Sequence, residues 1–427
     1  MSEIVAANQD AAATVDQSAT AARSGEAAGG PAPAKPLART GPSTAPVRPG
    51  PTHAQRNVAV DVLRGLALVG IMMNHIFGAE LPSLVWWDVH AVGFALLIGA
   101  GAAFAVPSAR VPDRPGARRT AVLRAFVRAI VLGAAGFLLE VLPNGGVAVI
   151  LVRLAVITAL VAVVAVLPRW TMPPLAALLL LVTPQVAWWL QANAPQAFAT
   201  TTGWSSALDA GAWMRMLWAP YHPALLWLGV AVVGLWVLRR FDLARPWHLV
   251  AIAGIGAVMA TSAWAFGQWA WERWGAPEGA DLRILAIGDF PTLTTDRRWL
   301  LGVGAYLPST PSLVFSTGIV LMALALVSAL CLAAPVRLAL KPLAIVGAMT
   351  LSGYFCHVLL EGQWGLWTVA GQTPWGAAVP TGWADLGLQV AVLFPALLLW
   401  HLLPGRLGKG PLEWLSRVVA STVVRSR

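Results

Sequence analysis

Stretches of about 20 apolar residues recur along almost the whole chain, and this repetition constrains the fold more than any other feature. A run of that length, wound into a helix, crosses a hydrocarbon core roughly 30 Å thick. The 427-residue chain is 58% hydrophobic and only 11% charged, whereas a typical soluble domain is about 25% charged. The composition therefore excludes a soluble fold and predicts an all-α integral membrane protein.

Ten apolar runs predict about ten transmembrane helices. They cover 57–78, 86–107, 119–142, 145–167, 172–192, 221–239, 246–269, 311–333, 341–360 and 382–404. Together they make a predicted membrane domain over 56–405, followed by a basic segment at 406–427. The tail at 1–55 is rich in Ala, Pro, Gly and Ser and has no continuous apolar stretch of the kind that signal peptides carry. Such a tail is expected to be disordered and cytoplasmic.

The net charge of +10 comes from short basic clusters after every second apolar run. These clusters contain Arg110, Arg114, Arg118, Arg119, Arg169, Arg239, Arg240, Arg245, Arg337, Lys341, Arg406, Lys409, Arg417, Arg425 and Arg427. The intervening short loops carry almost no Lys or Arg, and basic loops stay on the cytoplasmic side of a membrane. The alternation predicts a cell-membrane protein with both termini cytoplasmic. Because the basic residues form no single patch, nucleic acid is not an expected partner.

The first apolar run holds the most polar residues. Asp61 and Arg64 lie three positions apart near its cytoplasmic end, where they could form a structural ion pair. Asn74 and His75 lie near its outer end, and eleven residues separate Arg64 from His75, a rise of roughly 16 Å in a helix. A neutral imidazole suits general-base chemistry, although a membrane histidine can also serve only in packing.

Other polar side chains in the apolar runs are further candidates. His90 has a depth similar to that of His75 and could complete a site, or it could be an interfacial histidine. Glu140 could orient His75, as carboxylates orient catalytic bases. Arg153 has no local partner, so Glu140, another carboxylate or an anionic substrate must neutralise its charge. His222, His357 and Glu361 also lie outward, and each is expected to be structural.

Tryptophan is concentrated toward the outer helix ends and outer loops. The residues concerned are Trp86, Trp87, Trp188, Trp189, Trp204, Trp213, Trp218, Trp269, Trp271, Trp274, Trp299, Trp364, Trp367, Trp375 and Trp383. One interpretation is an aromatic belt at headgroup depth. The other is an external vestibule whose rings stack on sugars. The cysteines Cys331 and Cys356 lie inside apolar runs and are expected to be buried free thiols, and no metal-ligand spacing is present.

The segment VDVLRGLALVGIMMNH at 60–75 resembles the first-helix signature of two membrane acyltransferase groups. One is the heparan-alpha-glucosaminide N-acetyltransferase-like superfamily, with its Leu-Asp-x-Leu-Arg-Gly pattern and a later Asn. The other is bacterial acyltransferase family 3, in which ten residues separate an Arg from a functional His. GFALLIGAGAAFA at 93–105, YHPALLWLGVAVVGLWVLRR at 221–240 and LAIVGAMTLSGYFCH at 343–357 are similar to later motifs of the first group.

The resemblance implies transfer of an acyl group, with acetyl as the expected one, from cytoplasmic acyl-CoA to a glycan or glycolipid outside the cytoplasm. His75 would be the base or transient acyl carrier, aided by Asn74, His90 and Glu140. Arg64, with Asp61 and Arg153, would bind the donor, and no metal is implied. Membrane lipids would surround the chain.

Two alternatives stay open. A secondary transporter or flippase would also be a multipass helical protein, although no inverted repeat is evident. The second alternative is a noncatalytic relative of the superfamily. Ala348 stands where the superfamily's late motif has Arg, and Ser352 stands in place of its Thr. The segment LPSTPS at 307–312 lacks an expected His.

Overall fold

The computed structural model describes residues 57–77, 84–107, 116–142, 147–198, 209–218, 222–277, 296–304, 307–368, 381–405 and 407–424. All regular secondary structure in these ranges is helical. The α-helices are α1 (Val58–Phe77), α2 (Leu84–Ala105), α3 (Ala117–Val141), α4 (Leu151–Val164), α5 (Met172–Asn193), α6 (Ala210–Trp218), α7 (Ala224–Arg240), α8 (Pro246–Trp274), α9 (Thr310–Leu332), α10 (Ala334–Ala339), α11 (Lys341–Gly347), α12 (Thr350–Thr368), α13 (Gly382–His401) and α14 (Pro411–Val423).

Each of the ten predicted apolar runs contains a helix or, for 341–360, the bent pair of α11 and α12. Within the described ranges, six helical stretches are long and apolar enough to cross a membrane, or seven if the bent pair counts as one span. α4, with 14 residues, falls short of that length. The all-α prediction is thus confirmed for the described ranges. The predicted disordered tail at 1–55 lies outside them, as do residues 278–295 between the seventh and eighth apolar runs.

The outer surface of the helix bundle is apolar. Ile130 in α3, Val250 in α8 and Leu399 in α13 are 70%, 73% and 66% exposed. By contrast, Met72 in α1 and Leu235 in α7 are completely buried. Exposed aliphatic side chains on long helices suit a hydrocarbon environment, which solvates them as well as a protein core does.

Glycine allows the central helices to touch backbone to backbone. A Cβ placed on Gly99 of α2 would lie 1.8 Å from the carbonyl oxygen of Ala231 in α7, and one on Gly234 would lie 2.1 Å from that of Leu96. These distances leave no room for a side chain. Small residues at helix interfaces allow this kind of close packing.

Basic side chains tie several helix ends together at one end of the bundle. Arg239, near the end of α7, donates to the carbonyl oxygens of Ala165 and Val106, at 2.6 and 2.9 Å. These two acceptors lie just beyond the last residues of α4 and α2. Arg64, in the second turn of α1, donates to the carbonyl oxygen of Leu97 at 3.3 Å. We call this the basic end of the bundle.

The amphipathic helix α14 holds the start of α12, which follows a bend of 76° from α11. The Glu413 carboxylate accepts hydrogen bonds from the backbone N–H groups of Leu351 and Ser352, at 2.8 and 3.2 Å, and from the Ser352 hydroxyl at 2.5 Å. It thereby satisfies donors that the first turn of a helix leaves unpaired. A carboxylate at a helix N-terminus is also favoured by the helix dipole.

Candidate functional site

A chain of hydrogen-bonded polar side chains lies at the end of the bundle opposite the basic end. Nδ1 of His75, in the last turn of α1, is 2.9 Å from Nε2 of His357 in α12. Nδ1 of His357 is 2.5 Å from Oε1 of Gln389 in α13. The Gln389 amide nitrogen donates to Oε1 of Glu361 at 2.7 Å and to Oδ1 of Asp385 at 3.0 Å. We call these five residues the polar chain.

The polar chain is enclosed by the helices. His357 is completely buried, Gln389 is 1% exposed and Asp385 6% exposed, while His75 and Glu361 are half-buried. Polar groups removed from water carry a large cost unless they are hydrogen-bonded. Their mutual pairing offsets that cost, and intramembrane ionisable residues are functional candidates by default.

Helical spacing assembles the polar chain. His357 and Glu361 are four residues apart on α12, and Asp385 and Gln389 are four residues apart on α13. Each pair therefore shares one face of its helix. The His75 ring stacks on that of His357, with centroids 5.1 Å apart and planes 7° apart, and its edge meets Tyr354 at 6.2 Å.

A cavity of about 300 Å³ lies between α1, α2, α3, α4, α12 and α14. Its lining includes Arg64, Arg128, Leu154, Tyr354 and Glu413. Arg64 and Glu413 belong to the basic end, whereas the ring of Tyr354 touches His75. The cavity therefore reaches from the basic end to Tyr354, and the ring of Tyr354 lies between the cavity and His75. Outside the membrane-spanning helices, burial raises the pKa of the Glu413 carboxyl above its ordinary value.

The ion pair expected between Asp61 and Arg64 is present. Nη1 of Arg64 lies 3.1 Å from Oδ1 of Asp61, whose side chain is 6% exposed while that of Arg64 is 25% exposed. The partly exposed guanidinium also lines the cavity. Asp61 thus holds Arg64 at the cavity wall. Because the Asp61 side chain is buried, it is placed to orient Arg64 and not to contact a molecule in the cavity.

Two further sequence candidates, Asn74 and His90, are buried side chains of α1 and α2. Asn74 and His90 are buried, at 7% and 8% exposure, and the Cβ of His90 lies beside Gly70 of α1. His90 interacts electrostatically with His75 without a hydrogen bond to it. His90 is thus close to His75, and the hydrogen bond at His75 Nδ1 is made with His357.

The structure pairs Glu140 with Arg153, and its orienting role at His75 stays a prediction. Glu140 is exposed near the end of α3, and its charge attracts that of Arg153. Arg153 also donates to the carbonyl oxygen of Val149 at 3.0 Å. Nδ1 of His75 is hydrogen-bonded to His357 of α12.

Sequence reasoning missed the role of His357, Gln389 and Asp385. His357 and Glu361 were assigned to structure one at a time. Their four-residue spacing, repeated by Asp385 and Gln389, was the available signal. The pairing of the two helices with α1 had no counterpart in the sequence pattern. Cys356, expected to be buried, is exposed, whereas Cys331 is buried as expected.

Exposed tryptophans occur at both ends of the described bundle. Trp189, Trp269 and Trp383, at the end that holds His75, are 55%, 51% and 67% exposed. Trp170 and Trp247, at the basic end, are 71% and 61% exposed. An aromatic belt decorates both interfaces, so the distribution of these rings favours the belt over a vestibule.

No protein-family model matches this chain, and no curated protein sequence is similar to it at a significant level. Nor do the described residues contain a group of three or more His, Cys, Asp or Glu side chains able to hold a metal ion.

Proposed function

We propose that this protein is a multipass membrane acyltransferase. It moves an acyl group, acetyl foremost, from acyl-CoA on the cytoplasmic side to a glycan or glycolipid on the other side. In this proposal ten spans cross the cell membrane, with both termini and the basic end in the cytoplasm. The observation that carries it is a cavity that runs from Arg64 to Tyr354, whose ring contacts His75 of the polar chain.

The cavity suits a ligand with an anionic head and an apolar or small acyl end. Arg64 and Arg128 stand at its wall, while Leu154 and its neighbours form an apolar lining. Guanidinium groups bind phosphates with strong charge-assisted hydrogen bonds. Like charges on Arg124 and Arg128, one helical turn apart, repel each other, and a bound polyanion would relieve that repulsion.

The polar chain suits proton transfer during acyl transfer. In the proposed reaction, Nε2 of His75 takes the proton of the acceptor hydroxyl or amine. At the same time, the oxygen or nitrogen of that group attacks the thioester carbonyl carbon. The carbon–sulfur bond then breaks, and the thiolate of CoA takes the proton from His75. A positioned imidazole of this kind contributes about 10²- to 10⁴-fold to a rate.

Blocking the cavity tests donor binding. Leu154 lines the cavity, so Leu154→Trp is expected to abolish the binding of acetyl-CoA to the purified protein, measured by calorimetry in detergent. Leu178→Trp is the matched control, because Leu178 is 56% exposed on α5. This variant should bind acetyl-CoA normally. Equal binding by both variants, or none by the wild type, would count against the proposal.

Reporter fusions test the proposed orientation. A fusion after Arg240, which follows the sixth predicted span, is expected to report the cytoplasm, and a fusion near Asp209 the outside. An external signal at Arg240 would contradict the arrangement of ten spans.

A proton-coupled transporter is the second candidate, favoured by one observation. α11 and α12 form a helix pair broken by 76°, and the start of α12 faces the Glu413 carboxylate. Broken helices with their ends turned toward charged groups build many transporter sites. Cell-envelope analysis separates the two functions, since loss of a transporter alters solute pools and leaves acylated products intact.

A further inference from the structure

The orientation of the Gln389 amide follows from its surroundings. Its nitrogen lies 2.7 Å from a Glu361 oxygen and 3.0 Å from an Asp385 oxygen. Carboxylate oxygens accept hydrogen bonds and an amide nitrogen donates two. The reversed amide would put its oxygen against both of these oxygens, which would require both acids to carry a proton there. Two carboxylates therefore fix the amide with its oxygen toward His357.

The tautomer of His357 follows from the orientation of the amide. The Gln389 oxygen can only accept, so Nδ1 of His357, 2.5 Å away, must be the donor. A neutral imidazole carries one proton, and the other nitrogen accepts. Nε2 of His357 is thus an acceptor, and it faces Nδ1 of His75 at 2.9 Å.

The protonation of His75 follows from the tautomer of His357. Since Nε2 of His357 accepts, Nδ1 of His75 must hold the proton that it donates. Nε2 of neutral His75 is then unprotonated, and it has no hydrogen bond to any residue of the described ranges. We infer that Gln389 is a positioning residue: held by Glu361 and Asp385, it sets the tautomers of both histidines so that His75 presents an unprotonated Nε2.

This inference rests on the proposed function only in its consequence for catalysis. When Nε2 of His75 takes a proton from an acceptor hydroxyl, the Nδ1 proton can pass to Nε2 of His357. The positive charge then lies on His357, whose Nδ1 is 4.0 Å from a Glu361 oxygen. The polar chain gains only the one proton taken from the acceptor, and the resulting positive charge moves from His75 toward the carboxylates, which stabilise it.

Nitrogen-15 NMR of the full-length protein, labelled at histidine and held in lipid nanodiscs, reads the tautomers directly. The signals that disappear in His75→Asn and His357→Asn assign the two residues. In the wild type near neutral pH, both rings are expected in the Nδ1–H form. Finding His75 in the Nε2–H form would overturn the inference, and this test needs no folded variant of Gln389.

Variants of Gln389 then test its role. Gln389→Leu removes the acceptor at His357, so the Nδ1–H fraction of His75 is expected to fall. Gln389→Glu keeps an acceptor there and is expected to keep the tautomer. Gln191→Leu is the matched control, because Gln191 is buried and donates to the Trp218 carbonyl oxygen away from the site. An unchanged tautomer in Gln389→Leu would contradict the positioning role.

The outcome is separable from that of the proposed function. If the tautomers are as inferred but His75→Ala transfers acyl groups normally, acyl transfer at this site fails and the inference stands. If His75→Ala abolishes transfer while wild-type His75 holds its proton on Nε2, the proposed function stands and the role of Gln389 fails.

Discussion

The contact between α14 and the start of α12 gives a quantitative test of the fold. Glu413→Ala removes the acceptor of three hydrogen bonds, two from backbone N–H groups and one from the Ser352 hydroxyl. Hydrogen bonds to a charged group contribute about 1.5–3 kcal/mol each. Water from the adjoining cavity can replace part of them, so we expect a loss of about 3 kcal/mol in the free energy of unfolding.

Thermal unfolding in detergent measures this loss. At about 2 °C per kcal/mol for a chain of this size, the midpoint of Glu413→Ala should fall by roughly 6 °C. Glu272→Ala is the control, because Glu272 is exposed on α8 and its loss should leave the midpoint unchanged. A Glu413→Ala midpoint equal to that of the wild type would refute the capping role.

The pH dependence of stability checks the same contact from another side. Burial raises the pKa of the Glu413 carboxyl, so folding favours its protonated form. The stability that this gives is complete below the ordinary pKa of a glutamate and is lost as the pH rises through the raised value. Glu413→Gln should remove that part of the slope. A slope that persists unchanged in Glu413→Gln would assign it to other groups.

Two further variants test packing and donor binding. Gly99→Ala should lower the unfolding midpoint strongly, since its Cβ would meet the Ala231 carbonyl, whereas Gly254→Ala, with nothing within 4 Å of its Cβ, should be neutral or stabilising by up to about 1 kcal/mol; equal midpoints would contradict the packing of α2 on α7. Arg64→Ala should weaken acetyl-CoA binding by about tenfold or more, as expected for a lost bond of about 1.5–3 kcal/mol, and Arg64→Lys should recover part of it. If Arg64→Ala bound acetyl-CoA normally but unfolded at a lower temperature, Arg64 would have only a structural role, in the ion pair with Asp61.

The sequence predicts the helices well because each must satisfy its backbone hydrogen bonds alone inside a membrane. Apolar length therefore reveals a helix without knowledge of its neighbours. It cannot reveal the bend between α11 and α12, beyond which Glu413, some sixty residues later, binds the start of α12. Nor can it reveal the amphipathic α14, whose apolar residues cover only one side.

In the candidate site, contacts within one helix can be predicted from the sequence, whereas contacts between helices cannot. Asp61 and Arg64 are three residues apart on one helix, so their pairing is local and could be predicted. His75 and His357 are 282 positions apart, and only the packing of α1 against α12 brings them together. The suggestion that Glu140 could orient His75 rests on depth in the membrane, and depth does not determine which face of a helix a side chain occupies.

Complementation by His75→Ala tests acyl transfer most directly. Mass spectrometry would compare envelope glycans and lipids from cells that lack the protein with those from cells that regain the wild type, His75→Ala or His248→Ala. His248 is a buried histidine bonded to the Asp242 backbone, away from the polar chain. The account predicts an acyl mass that the deletion removes, that the wild type and His248→Ala restore, and that His75→Ala, present at equal level in the membrane, does not. Full restoration by His75→Ala would contradict it.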